Sequence, residues 1–332
     1  VDLVRFFFAH GGVFTFVVLF LISAVIYPDV FLKPENLRNL LSQSAPIGIV
    51  ALGMTLVIMT GGIDLSVGSL LALSAALGVE ALNFVVKQGH SEVAGVLTAV
   101  LVCLLAGGML GAFNGLLVGY FRIPPFMATL AGLVGFRSFA LALADGGEIR
   151  SASHNLFPAL AHGGISLPFA STSSGAPLII GWNIFTLLIL TFMMDLLVRR
   201  TVLGRWSAAV GGNEEAALYS GIPVKRTKWS AYTLLGVLTG VGALLLASRM
   251  NSVSTSDMGR LYELDAIAGV VLGGTPLSGG YGRVWGTLIG ILLMGLITNL
   301  LILSNVSVYW QGAVKGAIIL TAVATQTRAF KR

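Results

Sequence analysis

Charge is what this sequence has least of. Charged side chains make up 10% of its 332 residues, against roughly 25% in soluble domains, while 56% of the residues are apolar. A soluble globular protein is excluded. The single cysteine, Cys103, lies in an apolar run, so there is no disulfide framework and no cysteine-ligated metal cluster. Catalytic signatures are missing too: no HExxH pair occurs, and His10, His90, His154 and His162 have no ligand spacing. A GxSxG pattern begins at Gly164 and fails at its last position. No GxxxxGK[ST] loop is present, so the chain binds no ATP through a P-loop of its own. Segments of alternating polarity, which a membrane β-barrel needs, are absent.

What remains is long, continuous apolar stretches. At about 20 residues per crossing, spans are expected near 13–27, 45–60, 66–86, 93–120, 126–143, 178–198, 229–247, 263–275, 284–303 and 308–325. This predicts an all-α polytopic membrane protein of about ten transmembrane helices, forming one domain over 1–332. The 42 glycines suit closely packed helices. The apolar stretch after Arg5 lacks a small-residue cleavage site and reads as the first span rather than a signal peptide. The stretch 263–275 is short for a full crossing and is a candidate re-entrant segment.

The net charge of +6 follows from basic residues placed between spans, not from a nucleic-acid-binding patch. Arg199, Arg200, Arg205, Lys225, Arg226 and Lys228 make the loop 199–228 cytoplasmic by the positive-inside rule. The C-terminal Arg328, Lys331 and Arg332 agree, and counting crossings places both termini on that side. The connection 145–177 then faces outward. It carries one basic residue, Arg150, and two apolar stretches, Leu156 to Leu160 and Ile165 to Phe169, suited to a membrane surface or a partner.

Residues 61–68 and 273–280 share the pattern GGxxLSxG. Glycine pairs and Pro276 interrupt helices and free backbone groups, and transporters place paired broken helices along their pathway. Gly61, Gly62, Asp64, Ser66, Gly273, Gly274, Pro276 and Ser278 are therefore candidate pathway residues, with Asn114 and Asn299 from inside apolar spans. Interhelical hydrogen bonding is the alternative for the two asparagines, and helix capping for Asp64 and Ser66. Lys315 either faces the bundle interior or snorkels to the interface. Asp64 is the only clear acidic residue expected in the core, too little for an ion-coupling relay, so neutral, hydroxyl-bearing solutes suit the pathway better.

The basic loop holds a short helix over 214–221. Asn213 is a good N-cap, Glu214 and Glu215 suit the positive end of the helix dipole, and Gly221 with Pro223 ends it. Such a helix has little to bury against in its own chain. Its centre, Ala216, Ala217, Leu218 and Tyr219, is built to dock into another protein.

Glu215-Ala216-Ala217 followed by Gly221 resembles the EAAxxxG core by which permeases of ABC importers engage their ATPase subunits. The later I-x-L-P part of that motif is missing, which points away from the maltose-type branch. GGIDLSVGSLLAL at 61–73, IPPFMATLAG at 123–132, GGNEEAALYSGI at 211–222 and ELDAIAGVVLGGTPLSGG at 263–280 resemble the ribose, xylose and galactofuranose importer permeases, nearest the galactofuranose type. The resemblance implies a bacterial inner-membrane permease that is not itself an enzyme. Its expected partners are an ABC ATPase subunit, which holds the ATP and Mg, a periplasmic sugar-binding protein, a second permease subunit and membrane lipid. No cofactor or metal is expected in this chain. Asn213, Glu214, Glu215, Ala216, Ala217, Ser220 and Gly221 form the expected ATPase-coupling helix. The rival reading is an ion-coupled secondary sugar transporter.

Overall fold

The computed structural model describes residues 2–171, 175, 177–307, 309–318 and 320. The chain runs through α1 (Asp2–Ile26), α2 (Pro28–Phe31), α3 (Pro34–Met59), α4 (Val67–Lys87), α5 (Glu92–Gly119) and α6 (Pro125–Leu143). Then come β1 (Glu148–Arg150), α7 (Leu156–His162), β2 (Gly164–Ser171) and β3 (Pro177–Gly181). The second half comprises α8 (Trp182–Arg200), α9 (Val202–Gly212), α10 (Glu214–Tyr219), α11 (Val224–Met250), β4 (Ser252–Ser254), α12 (Tyr262–Leu272) and α13 (Val284–Leu303). Residues 309–318 are helical. The far end of the predicted span 308–325, with Arg328, Lys331 and Arg332, lies outside the described residues, as do 172–174 and 176.

Seven described helices are long and apolar enough to cross a membrane: α3, α4, α5, α6, α8, α11 and α13. The polytopic helical architecture holds, while three of the ten expected spans fall short of this measure among the described residues. In α1 the apolar part is Gly11–Ile26. The stretch 263–275 becomes α12, whose 11 residues reach about 16 Å at 1.5 Å per residue, roughly half a hydrocarbon core. Unlike the expected span 45–60, α3 begins at Pro34 and contains Pro46. Proline cannot donate to the carbonyl four residues back. That carbonyl, on Ser42, instead accepts from Asn183 Nδ2 of α8 at 3.0 Å, and Asn183 also donates to the Ser42 hydroxyl at 2.6 Å.

The centre of the bundle is α3, α4 and α11. Along α5, Leu97, Leu101, Leu105 and Met109 recur every four residues and are exposed, as a lipid-facing stripe should be. The opposite face of α5 carries Gly107, Gly111, Gly115 and Gly119, packed on α11. A Cβ on Gly111 would lie 2.5 Å from the Tyr232 carbonyl oxygen and 2.7 Å from Gly236 Cα, so only glycine lets the two backbones meet.

At one end, β1 pairs antiparallel with β4, Glu148 opposite Ser254 and Arg150 opposite Ser252, and β2 forms a hairpin with β3. The apolar stretch from Leu156 is α7, which buries Phe157 and leaves Leu156 exposed. Glu92 Oε1 caps α7 by accepting from the Asn155 and Leu156 amides, both at 3.0 Å, and from the Ser153 hydroxyl. Asn83, near the far end of α4, holds the same connection by accepting from Ala152 N at 2.7 Å and donating to Arg150 O at 2.9 Å. The loop predicted to be irregular is thus a folded cover.

Candidate functional site

Both GGxxLSxG segments break helices, but their geometric equivalence is shifted by one residue. At the end of α3, Gly61 is left-handed with φ 78°, and the Gly61 and Gly62 amides donate to Ile58 O at 2.9 Å and Val57 O at 3.1 Å. At the end of α12 it is Gly274 that is left-handed, φ 89°, with Gly274 N donating to Val271 O and Thr275 N to Val270 O. Gly61 therefore matches Gly274 rather than Gly273. The same closing pattern, worth most with glycine in the left-handed position, ends α10. Gly221 has φ 78° and donates to Leu218 O at 3.0 Å, while Ile222 N reaches Ala217 O.

The two breaks meet. Gly280 N donates to Met59 O at 2.9 Å. A Cβ on Gly279 would sit 2.9 Å from Gly61 N and 3.1 Å from Gly211 Cα, and one on Gly211 would sit 1.8 Å from Met59 O. Backbone touches backbone at this point on three sides. Pro276 is buried next to it, whereas Ser278 is exposed at the bundle end. Gly211 closes α9, two residues before α10 begins, so the glycine contacts join both helix breaks to the short helix.

In α10, Asn213 Oδ1 accepts from Ala216 N at 2.9 Å, the expected N-cap, and Ser220 Oγ donates to Ala216 O at 2.8 Å. Glu214 pairs with Lys228 at 2.6 Å. The expectation that this helix has nothing to bury in its own chain is corrected: Ala217 is buried against Val210 and Val224. Its small side chain lets α10 lie close to α9 and α11. The outer face keeps Glu215, Ala216, Leu218 and Tyr219 exposed, Tyr219 at 88%. Next to them a groove of about 830 Å³ runs to the turn between α5 and α6, with Tyr120, Arg122 and Lys225 in its wall.

Beyond Gly62 the chain turns inward. Asp64 Oδ1 accepts from Ser66 N at 2.8 Å and from the Ser66 hydroxyl at 2.6 Å, which sets the start of α4. Asn114 Nδ2 donates to Ser66 Oγ at 2.7 Å and to Asp64 Oδ2 at 3.3 Å. Tyr232 donates to Ile63 O at 3.2 Å. Asp64, Ser66 and Asn114 have no exposed surface, so this cluster braces α4, α5 and the break, and leaves no group open to a solute. Asn299 lies elsewhere, exchanging side-chain hydrogen bonds with Asn36 at 2.8 and 3.3 Å, the interhelical alternative.

The sequence reading missed three ionisable residues. Arg137, inside α6, donates from Nη1 to Thr255 O and Met258 O, both at 2.9 Å, and so supports the non-helical approach to α12. Glu263 and Asp265 stand in the first turn of α12. Asp64 is therefore not the only acidic group in the bundle. The signal was available, since Arg137 is an ionisable residue at the middle of a span. No group of three His, Cys, Asp or Glu residues that could hold a metal occurs among the described residues.

Broken helices within an apolar bundle, joined to a capped helix at one end, define a membrane permease rather than an enzyme. The chain belongs to the family described as branched-chain amino acid transport system / permease component, whose profile matches residues 36–323. It is similar to the ribose import permease protein RbsC of Bacillus subtilis, 43% identical over 92% of this chain and 88% of that one. It also resembles the L-arabinose ABC transporter permease protein AraH of Azospirillum brasilense, 37% identical over 94% and 86%. A third relative is the xylose transport system permease protein XylH of Escherichia coli, 34% identical over 88% and 85%. No solved structure matches the chain. These relatives bear out the resemblance to carbohydrate importer permeases and identify a multi-pass protein of the bacterial inner membrane. They do not speak for galactofuranose, and they give the ion-coupled alternative no support.

Proposed function

We propose that this chain is the permease subunit of an ABC importer that passes a monosaccharide of pentose or furanose type into the cytoplasm by ATP-driven alternating access. The observation that carries the reading is the three-way backbone contact of Met59, Gly280 and Gly211, which ties both helix breaks to α10. An ATPase pushing on the exposed face of α10 acts on both breaks at once. The relatives named for ribose, arabinose and xylose support a sugar as the cargo. By linkage, a binding protein at the opposite end must favour the same permease state as ATP. The partners are an ABC ATPase that holds ATP and Mg, a sugar-binding protein and a second permease subunit. The topology belonging to this reading has ten crossings and cytoplasmic termini, with α1, the stretch 255–272 and the helix from 309 completing the count. On it, 199–228 is cytoplasmic and 145–177 extracytoplasmic.

Co-expression with the ATPase tests the reading. Glu215→Lys reverses an exposed charge on α10, and Gly221→Val forces a branched side chain into left-handed backbone, at a cost of about 1–2 kcal/mol. Both variants should insert in the membrane and lose the ATPase or uncouple hydrolysis from uptake. Wild-type co-purification together with wild-type transport would remove α10 from the coupling path. For the cargo, competition of unlabelled ribose, arabinose, xylose and galactofuranose against labelled ribose ranks the sugars. The narrower galactofuranose reading requires that sugar to compete best.

A further inference from the structure

Lys315 does not snorkel. Its Nζ lies 3.0 Å from Asp265 Oδ2, with the two side chains 22% and 23% exposed. The pair links the helical segment 309–318 to the first turn of α12. Beside it, between α3, α12 and α13, is a cavity of about 150 Å³ whose wall includes Gln43, Ser44, Thr298 and the ion pair, with apolar surface from Met294. At about 30 Å³ per water it has the space of roughly five waters, the scale of a five-carbon polyol.

Hydrogen-bonding capacity is left over here. Gln43 and Ser44 make no side-chain hydrogen bond to another described residue, although Ser44 is buried. The Thr298 hydroxyl donates to Met294 O at 3.0 Å and keeps its lone pairs. An ammonium has three donors and a carboxylate about four acceptor sites, so one contact between Lys315 and Asp265 exhausts neither. Polar walls of this kind are costly against lipid chains. The pair is neutral as a unit, which suits neither a free cation nor an anion, whereas sugar hydroxyls both donate and accept and the apolar wall can meet the C–H face of the ring.

We infer that this cavity, rather than the closed Asp64 cluster, is a contact site for the sugar on its way through the bundle. The inference rests on the importer reading above. Its test uses the complete transporter in proteoliposomes, with ATP inside the vesicles on the ATPase side and labelled ribose, arabinose or xylose delivered by the binding protein. Gln43→Leu with Ser44→Ala removes groups that have no internal partner, so folding should survive. Uptake is expected to fall about tenfold, the scale of one or two lost hydrogen bonds. Basal ATP hydrolysis and subunit co-purification should be unchanged, and the ratio of ribose to 2-deoxyribose uptake should shift. Asp265→Asn should do the same without depending on the α3 side chains. Wild-type uptake with an unshifted ratio in both variants overturns the inference and leaves the importer reading intact. Loss of the second permease from the Gln43→Leu, Ser44→Ala complex also overturns it, because the cavity would then be a subunit interface. A wild-type complex that imports none of the three sugars removes the importer reading and this inference with it.

Discussion

The cluster around Asp64 and the cavity beside Asp265 are both polar places in an apolar bundle, and they differ in how much of their hydrogen bonding is already spent. Around Asp64, carboxyl, hydroxyl and amide groups face one another with no exposed surface. Beside Asp265, an ion pair shares a cavity with Gln43 and Ser44, which have no partner in the fold. Depth in the membrane alone makes any polar residue a functional suspect. Satisfaction separates the two: a spent polar cluster is architecture, and an unspent one has something left to offer a solute.

The sharpest way to break that comparison is Asn114→Leu. Removing the amide strips a donor from both Asp64 and Ser66, and leaving buried acceptors unpaired costs about 3 kcal/mol. Purified protein should unfold at a clearly lower temperature in detergent. An unchanged unfolding temperature with lost transport would make the cluster part of the route and reverse the assignment. A smaller effect is expected at the other polar brace, where Asn183→Ala abandons the Ser42 carbonyl that Pro46 leaves without an amide donor, at about 1–2 kcal/mol. Adding Pro46→Ala supplies an amide and should recover most of the loss. Simple additivity of the two substitutions would refute this account of how the proline is tolerated. Smallest of all, Gln43→Leu should leave stability within about 0.5 kcal/mol. A loss comparable to that of Asn114→Leu would show that both polar regions are structural.

The crossing helices were legible in the sequence because lipid demands continuous apolar stretches, and α4, α5, α6, α8 and α13 fall close to their expected limits. The α10 boundaries were legible for a local reason: Asn213, Gly221 and Pro223 act within one turn of themselves. What escaped was whatever depends on distant partners. Nothing near Lys315 in the chain announces Asp265, and Pro46 reads as a helix breaker until Asn183 is brought against α3. The echo of GGxxLSxG located both helix breaks yet misaligned them by one residue, since the cap depends on which glycine turns left-handed rather than on the shared letters. Arg137 was overlooked within an otherwise apolar span, although its guanidinium supplies the donors that the irregular chain at Thr255 and Met258 needs.

The pairing of β1 with β4 also sets an order of events. Strand Glu148–Arg150 is complete long before its partner Ser252–Ser254 exists, and at roughly 5–20 residues per second the intervening stretch of about 100 residues takes roughly 5–20 s to synthesise. During that interval Ile149, buried in the finished protein, has no Val253 beside it, and Asn83 and Glu92 alone can hold the connection after α6. That end of the bundle is therefore sealed only once α11 has crossed. A nascent chain stalled before Ser252 should remain open to protease there while its first helices are already in the bilayer.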